Sequence, residues 1–168
     1  MVAMLGVVAA GHIAVPFSPD WSPAELEGAI ALAKPAFLIS DKQTEGALSF
    51  DRLVSSVGGT PRTANPGDPF YVGFTSGSSG RPKGAVRSHR AWTESFHLMT
   101  LEFGVRPGDT VVVPGSLFFS FALNAAMHAA FTGATVIFPA ETGTRGLLHS
   151  LSDSATLYAL PSALADLT

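Results

Sequence analysis

Apolar positions at the start of the chain fall at helical spacing. Val2, Leu5, Val8 and Ala9 share one face, and Gly11 supplies a C-terminal stop, which predicts a first helix. Residues 13–17 are nearly all apolar and predict a short buried strand, cut off by Pro16 and Pro19. The next helix is the most clearly signposted. Leu26, Ala29, Ile30 and Ala33 repeat at i, i+3, i+4 and i+7, behind Ser22 as N-cap, Pro23 at the first helical position and Glu25 completing a capping box. Pro35 ends it, and residues 36–40 predict a second short strand. The pattern then fades. Phe50, Leu53 and Val54 suffice for one helical turn, and Gly58, Gly59, Pro61, Asn65, Pro66 and Gly67 spell a surface loop.

Beyond residue 68 strand and helix signals alternate. Strands are predicted at 70–74, 110–113, 135–138 and 155–160, and helices at 122–132 and 144–151. A further helix, capped by Ser88, carries Trp92, Phe96, Met99 and Phe103 on one side and stops at Gly104, and Pro161 opens a last one. Such alternation implies βαβ units and an α/β class, a mostly parallel sheet with flanking helices. The expected organisation is one domain, with residues 1–57 as a first part, 58–68 as a loop and 69–168 as the second part.

Composition narrows the function. The chain has 168 residues and a net charge of −3, which gives no electrostatic case for nucleic acid. Charged residues are 14%, against about 25% in ordinary soluble domains, so part of the surface is expected to be covered by more protein, by self-association for example. With no cysteine, disulfides, thiolate metal sites and a cysteine nucleophile are excluded. The apolar N-terminus has no Lys or Arg before Lys34, so it lacks the basic flank of a signal peptide. The uncharged run at 110–140 is broken by Pro114, Gly115, Ser116, Ser120, Asn124 and Gly133, which suits buried elements better than a membrane span. Among the five histidines, His12, His97, His128 and His149 are expected at helix or core positions, since no pair has metal-ligand spacing with carboxylates nearby.

The candidate chemistry lies at residues 75–84, Thr-Ser-Gly-Ser-Ser-Gly-Arg-Pro-Lys-Gly. Gly77, Gly80 and Gly84 let a backbone bend and approach a ligand closely. Thr75, Ser76, Ser78 and Ser79 add hydroxyl donors, and Lys83 adds a mobile ammonium suited to phosphate. Successive amides in such a turn form an anion nest. Pro82 stands where a Walker A loop needs glycine, and the dinucleotide fingerprint fits only in part. A flexible Gly/Ser linker has the same composition, but the position straight after an apolar strand favours a ligand loop.

Residues 71–92, YVGFTSGSSGRPKGAVRSHRAW, closely resemble the phosphate-loop signature of the adenylate-forming superfamily, which includes acyl-CoA synthetases, luciferases and peptide-synthetase adenylation domains. The likeness extends to Ala10–Pro16 with Pro19, to residues 114–124 as a further core motif, to Gly133–Val136 and to Tyr158–Pro161. It implies a partial acetyl-CoA synthetase-like N-terminal domain, and a cytoplasmic enzyme that joins a carboxylate to ATP with Mg²⁺, releases pyrophosphate, and passes the acyl group to CoA or a carrier-protein thiol. By the same resemblance Thr75, Ser76, Gly77, Ser78, Ser79, Gly80, Lys83 and Gly84 hold the phosphates, with Thr75 the local Mg²⁺ contact. His89 belongs to the matched motif, and Arg87 and Arg90 either add positive potential or solvate a helix. Phe119, Ser120 and Asn124 map to the acid pocket, where an aromatic wall would favour an apolar or aryl acid; core packing explains these phenylalanines equally well. The family's adenine-binding segment, ribose-binding Asp and C-terminal domain with its Lys have no counterpart in these residues. The expectation is therefore a fragment of such a ligase, or an inactive remnant serving as an interaction module, without full catalysis of its own.

Overall fold

The computed structural model describes residues 1–41, 45–55, 58–75, 83–140, 143–151 and 155–160. Two compact units divide the chain, residues 1–90 and 91–168.

In the first unit, α1 (Val2–Ala9) forms as its spacing predicts and buries Met4. Gly11 follows at φ +81°, and the Arg62 N–H donates to Ala9 O at 2.8 Å, so the 58–68 segment docks on the end of α1. The strand expected at 13–17 shrinks to one parallel bridge between Ala14 and Tyr71. Ala14 N–H donates to Phe70 O (2.8 Å) and Ala14 O accepts from Val72 N–H (3.0 Å), but two residues on Pro16 has no N–H to continue the ladder. Helix α2 (Pro23–Ala33) carries the full capping box, with Ser22 and Glu25 bonded reciprocally, and its predicted stripe holds its only buried residue, Ala29. Lys34 closes it in a left-handed conformation, its N–H donating to Ile30 O, and Pro35 follows. Strands β1 (Leu38–Ser40) and β2 (Ala47–Ser49) pair in parallel, and α3 (Phe50–Val54) continues straight from β2.

The largest departure from expectation follows. Strand β3 (Pro69–Thr75) pairs antiparallel with β4 (Lys83–Ser88), so Lys83 and Gly84 lie in a strand, not in the loop assigned to residues 75–84. Almost every residue of β4 is exposed, so no apolar alternation announced it. Helix α4 (His89–Phe103) starts directly after it, with the N–H groups of His89 and Arg90 donating to Asp68 O and Pro66 O.

The second unit is a parallel sheet in the order β6-β5-β7, from β5 (Thr110–Val112), β6 (Thr135–Ile137) and β7 (Ala155–Leu157). Val111, Val112 and Val113 are fully buried, as a strand covered on both faces requires. Helix α5 (Ser120–Thr132) links β5 to β6 and ends at left-handed Gly133, and α6 (Thr144–Ser150) precedes β7. The helix expected from Pro161 lies outside the described residues.

Candidate functional site

The antiparallel register brings Thr75 opposite Lys83, the β3–β4 pair next to the connection between the strands. Directly opposed residues share a face, with Cβ atoms about 5 Å apart. A hydroxyl and an ammonium therefore start from neighbouring points on one face, and the Thr75 hydroxyl reaches Lys83 O at 3.5 Å. Ser76, Gly77, Ser78, Ser79 and Gly80 lie outside the described residues. Gly84 serves packing: a Cβ there would meet Val72 Cγ1 at 3.0 Å.

The hairpin packs on apolar side chains. Phe74 packs against Phe17 (6.0 Å between ring centres) and edge-on against Trp21 (5.9 Å). Tyr71 is 1% exposed, and its ring lies across Gly73. Burial pushes the Tyr71 phenol up, and the Arg87 guanidinium pulls the other way. His89 sits at the far end of β4, its ring 5.0 Å from that of Phe70, so it packs the base of the hairpin and is not brought to Lys83.

The second unit offers a different kind of site. In a β6-β5-β7 order the chain leaves β5 on one side and returns on the other, and open α/β sheets bind ligands at the carboxyl ends of strands where that reversal occurs. Here that place lies between the ends of β5 and β7. From the end of β5 the chain runs through Pro114 and Gly115 to Phe119, the N-cap residue of α5. Phe119 is 62% exposed, and its ring meets Phe118 edge-on at 5.1 Å, so core packing does not account for it. Ser120 opens α5 and is exposed, and Asn124 lies one turn on, half-buried.

One residue expected only at a helix or core position has polar partners. His128 continues the Ser120–Asn124 spacing into the interior, where it is 0% exposed. Its Nε2 lies 2.9 Å from Thr100 Oγ1 and its Nδ1 lies 2.8 Å from Tyr158 Oη. Burial holds the imidazole below its ordinary range and pushes the Tyr158 phenol up to about 12. The available signal was polar residues every fourth position on an alanine-rich helix. Among the described residues no three His, Asp or Glu side chains gather as a metal site, and no helix is long and apolar enough to cross a membrane.

The family model described as AMP-binding enzyme matches residues 1–167. The uncharacterized acyl-CoA ligase YhfT of Bacillus subtilis (strain 168) is 36% identical over 143 residues, covering 78% of this chain and 30% of that protein. The nonribosomal peptide synthetase GRA1 of Gibberella zeae is 36% identical over 130 residues, which are 65% of this chain and 2% of the synthetase. A malonyl-CoA ligase, solved as a ternary product complex with methylmalonyl-CoA and AMP bound, superposes with a TM-score of 0.83 at 28% identity, over 93% of this chain and 36% of its own. The chain thus spans about a third of the length of these ligases.

Proposed function

The chain belongs to the AMP-binding enzyme family, and we propose that it carries the phosphate-holding part of an ATP-dependent acid–thiol ligase. In that reaction a carboxylate oxygen attacks the α-phosphorus of ATP, the α–β P–O bond breaks, and pyrophosphate leaves. The acyl group then passes to the thiol of CoA or of a carrier protein, with AMP leaving. The observation that carries this reading is the pairing of Thr75 with Lys83 at the connected end of a hairpin whose connecting residues carry the hydroxyl- and glycine-rich motif.

The chemical task of this segment is to hold charge. The leaving pyrophosphate develops negative charge, which fixed donors and a cation stabilise more in the transition state than in ATP. Lys83 supplies a point charge on the face it shares with Thr75, and by the family resemblance Ser76, Gly77, Ser78, Ser79, Gly80 and Gly84 would also hold the phosphates. Mg²⁺ is bound largely by phosphate oxygens and water, so a single hard protein oxygen fits it, and the exposed Thr75 hydroxyl would be that contact. The ion would neutralise the leaving group. Phe119, Ser120 and Asn124 would contact the acid, and the exposed ring of Phe119 suits an apolar or aryl one.

The test is calorimetric titration of the 168-residue chain with Mg·ATP. The expected outcome is binding by the wild type that weakens about tenfold in Lys83→Ala, for loss of one charge-assisted contact. Equal affinities would refute the role of Lys83. Binding by neither chain would favour an interaction module. A second reading, adenylation of an amino acid, is favoured by the 36% identity to the peptide synthetase. In the ligase to which the segment belongs, pyrophosphate exchange driven by amino acids but not by aryl acids would support it.

A further inference from the structure

Thr100, His128 and Tyr158 come from three separate elements: the last turn but one of α4, the buried side of α5, and the residue directly after β7. The hydrogen bonds around them define which protons they carry. The Thr100 hydroxyl has one proton and donates it to Phe96 O at 2.9 Å, so toward the ring it accepts, and Nε2 carries the imidazole N–H. Nδ1 is then a lone pair, and it accepts from the Tyr158 O–H. Phe96 lies 5.9 Å from the imidazole between ring centres, and Phe103 meets the Tyr158 ring edge-on at 5.3 Å. The same residue also extends the sheet, since Tyr158 N–H donates to Val112 O at 3.1 Å.

We propose that this chain of three side chains is a pH-sensitive latch that ties the carboxyl end of β7 to α4 and α5 while the imidazole is neutral and releases it when the imidazole gains a proton. A second proton on Nδ1 would face the phenol proton already aimed at it, so the phenol O–H must rotate and its proton loses that acceptor. The cation would also be sealed in, with no carboxylate in contact with it among the described residues. From α4 the ring is faced by Phe96 and Thr100, which do not titrate, while Glu94, His97 and Glu102 of that helix are exposed. Helix α5 has no other titratable residue, β5 has none, and from β7 the group in contact is Tyr158 itself. Burial is accordingly the cause of the downward shift at His128. Because the folded imidazole binds its proton less readily than the free one, the closed form is favoured above the ordinary histidine value of 6.5 and loses ground as pH falls below it. The closed-to-open ratio drops by up to about tenfold per pH unit until the lowered folded pKa is reached. The released segment follows the carboxyl end of β7, so the latch would set how firmly that strand end is held beside β5.

Amide hydrogen exchange read by NMR on the 168-residue chain tests the latch. Protection at the Tyr158 N–H should fall about tenfold per pH unit just below the ordinary histidine range, while the Val113 N–H, bonded to Ile137 O, keeps its protection. In His128→Gln the Tyr158 dependence should vanish. A pH-independent Tyr158 amide, an equal fall at Val113, or an unchanged dependence in the variant would each overturn the proposal. Tyr158→Phe gives a second measurement should the glutamine variant fail to fold: losing the donor to neutral Nδ1 should move the His128 titration midpoint upward. An unmoved midpoint would show that the phenol does not hold the ring.

Discussion

Gly73→Ala isolates how the hairpin is supported. Gly73 is not among the glycines at positive φ, so its backbone accepts alanine, and only space opposes the new methyl. A Cβ there would stand 2.5 Å from Tyr71 Oη, 2.9 Å from Cζ and 3.0 Å from Cε1. Those atoms belong to a rigid ring that is 1% exposed, with no free end to swing aside. Overpacking of this kind costs about 1–3 kcal/mol, and replacing glycine returns roughly 0.4–1 kcal/mol through the unfolded chain. The net expectation is a loss of about 1–2 kcal/mol, which at an m-value near 2 kcal/mol/M lowers the urea midpoint by roughly 0.5–1 M. Trp21 reports on this unit because it packs edge-on against Phe74, so its fluorescence in a Trp92→Phe background is the readout. In a Tyr71→Leu background the same substitution should cost little, giving a coupling of at least about 1 kcal/mol. An equal cost in both backgrounds would refute the account, because the methyl would then be opposed by something other than the ring.

Lys34 closes α2 at φ 46° and ψ 56°, a conformation that side chains resist, so Lys34→Gly should raise stability by up to about 1 kcal/mol in the same urea assay; a loss would mean the lysine makes a compensating contact. Both tyrosines are held neutral by burial, Tyr158 up to about 12. The folded chain should therefore show little tyrosinate absorbance at pH 10, where the unfolded chain is half-ionised, and stability should fall as pH rises above 10. Half-maximal tyrosinate at pH 10 with the fold intact would contradict their burial.

What the sequence disclosed follows the range of the interactions involved. The capping box of α2 is settled by Ser22 and Glu25, three residues apart, and it forms as the residues require. The segment at 13–17 looked like a strand because it is apolar, yet a strand also needs an N–H for each rung, and Pro16 withholds one where the ladder with β3 would continue. Strand β4 exists because β3 offers it an edge, which a count of apolar positions in 83–88 cannot register. The candidate site divides in the same way. Thr75, Lys83 and Gly84 were recognisable by type, but that Thr75 stands opposite Lys83 while Gly84 packs on Val72 depends on register alone.

The buried histidine extends the point to chemistry. Residue type and spacing put His128 inside a helix, and burial of a polar group requires partners, but nothing local in the chain could name them. They arrive from 28 residues before and 30 residues after it. Each partner fixes one ring nitrogen, and together they leave the imidazole a single tautomer. A side chain expected at a helix or core position thus becomes the place where two helices and the residue after the last strand meet through two hydrogen bonds, and the proposed latch rests on those two bonds.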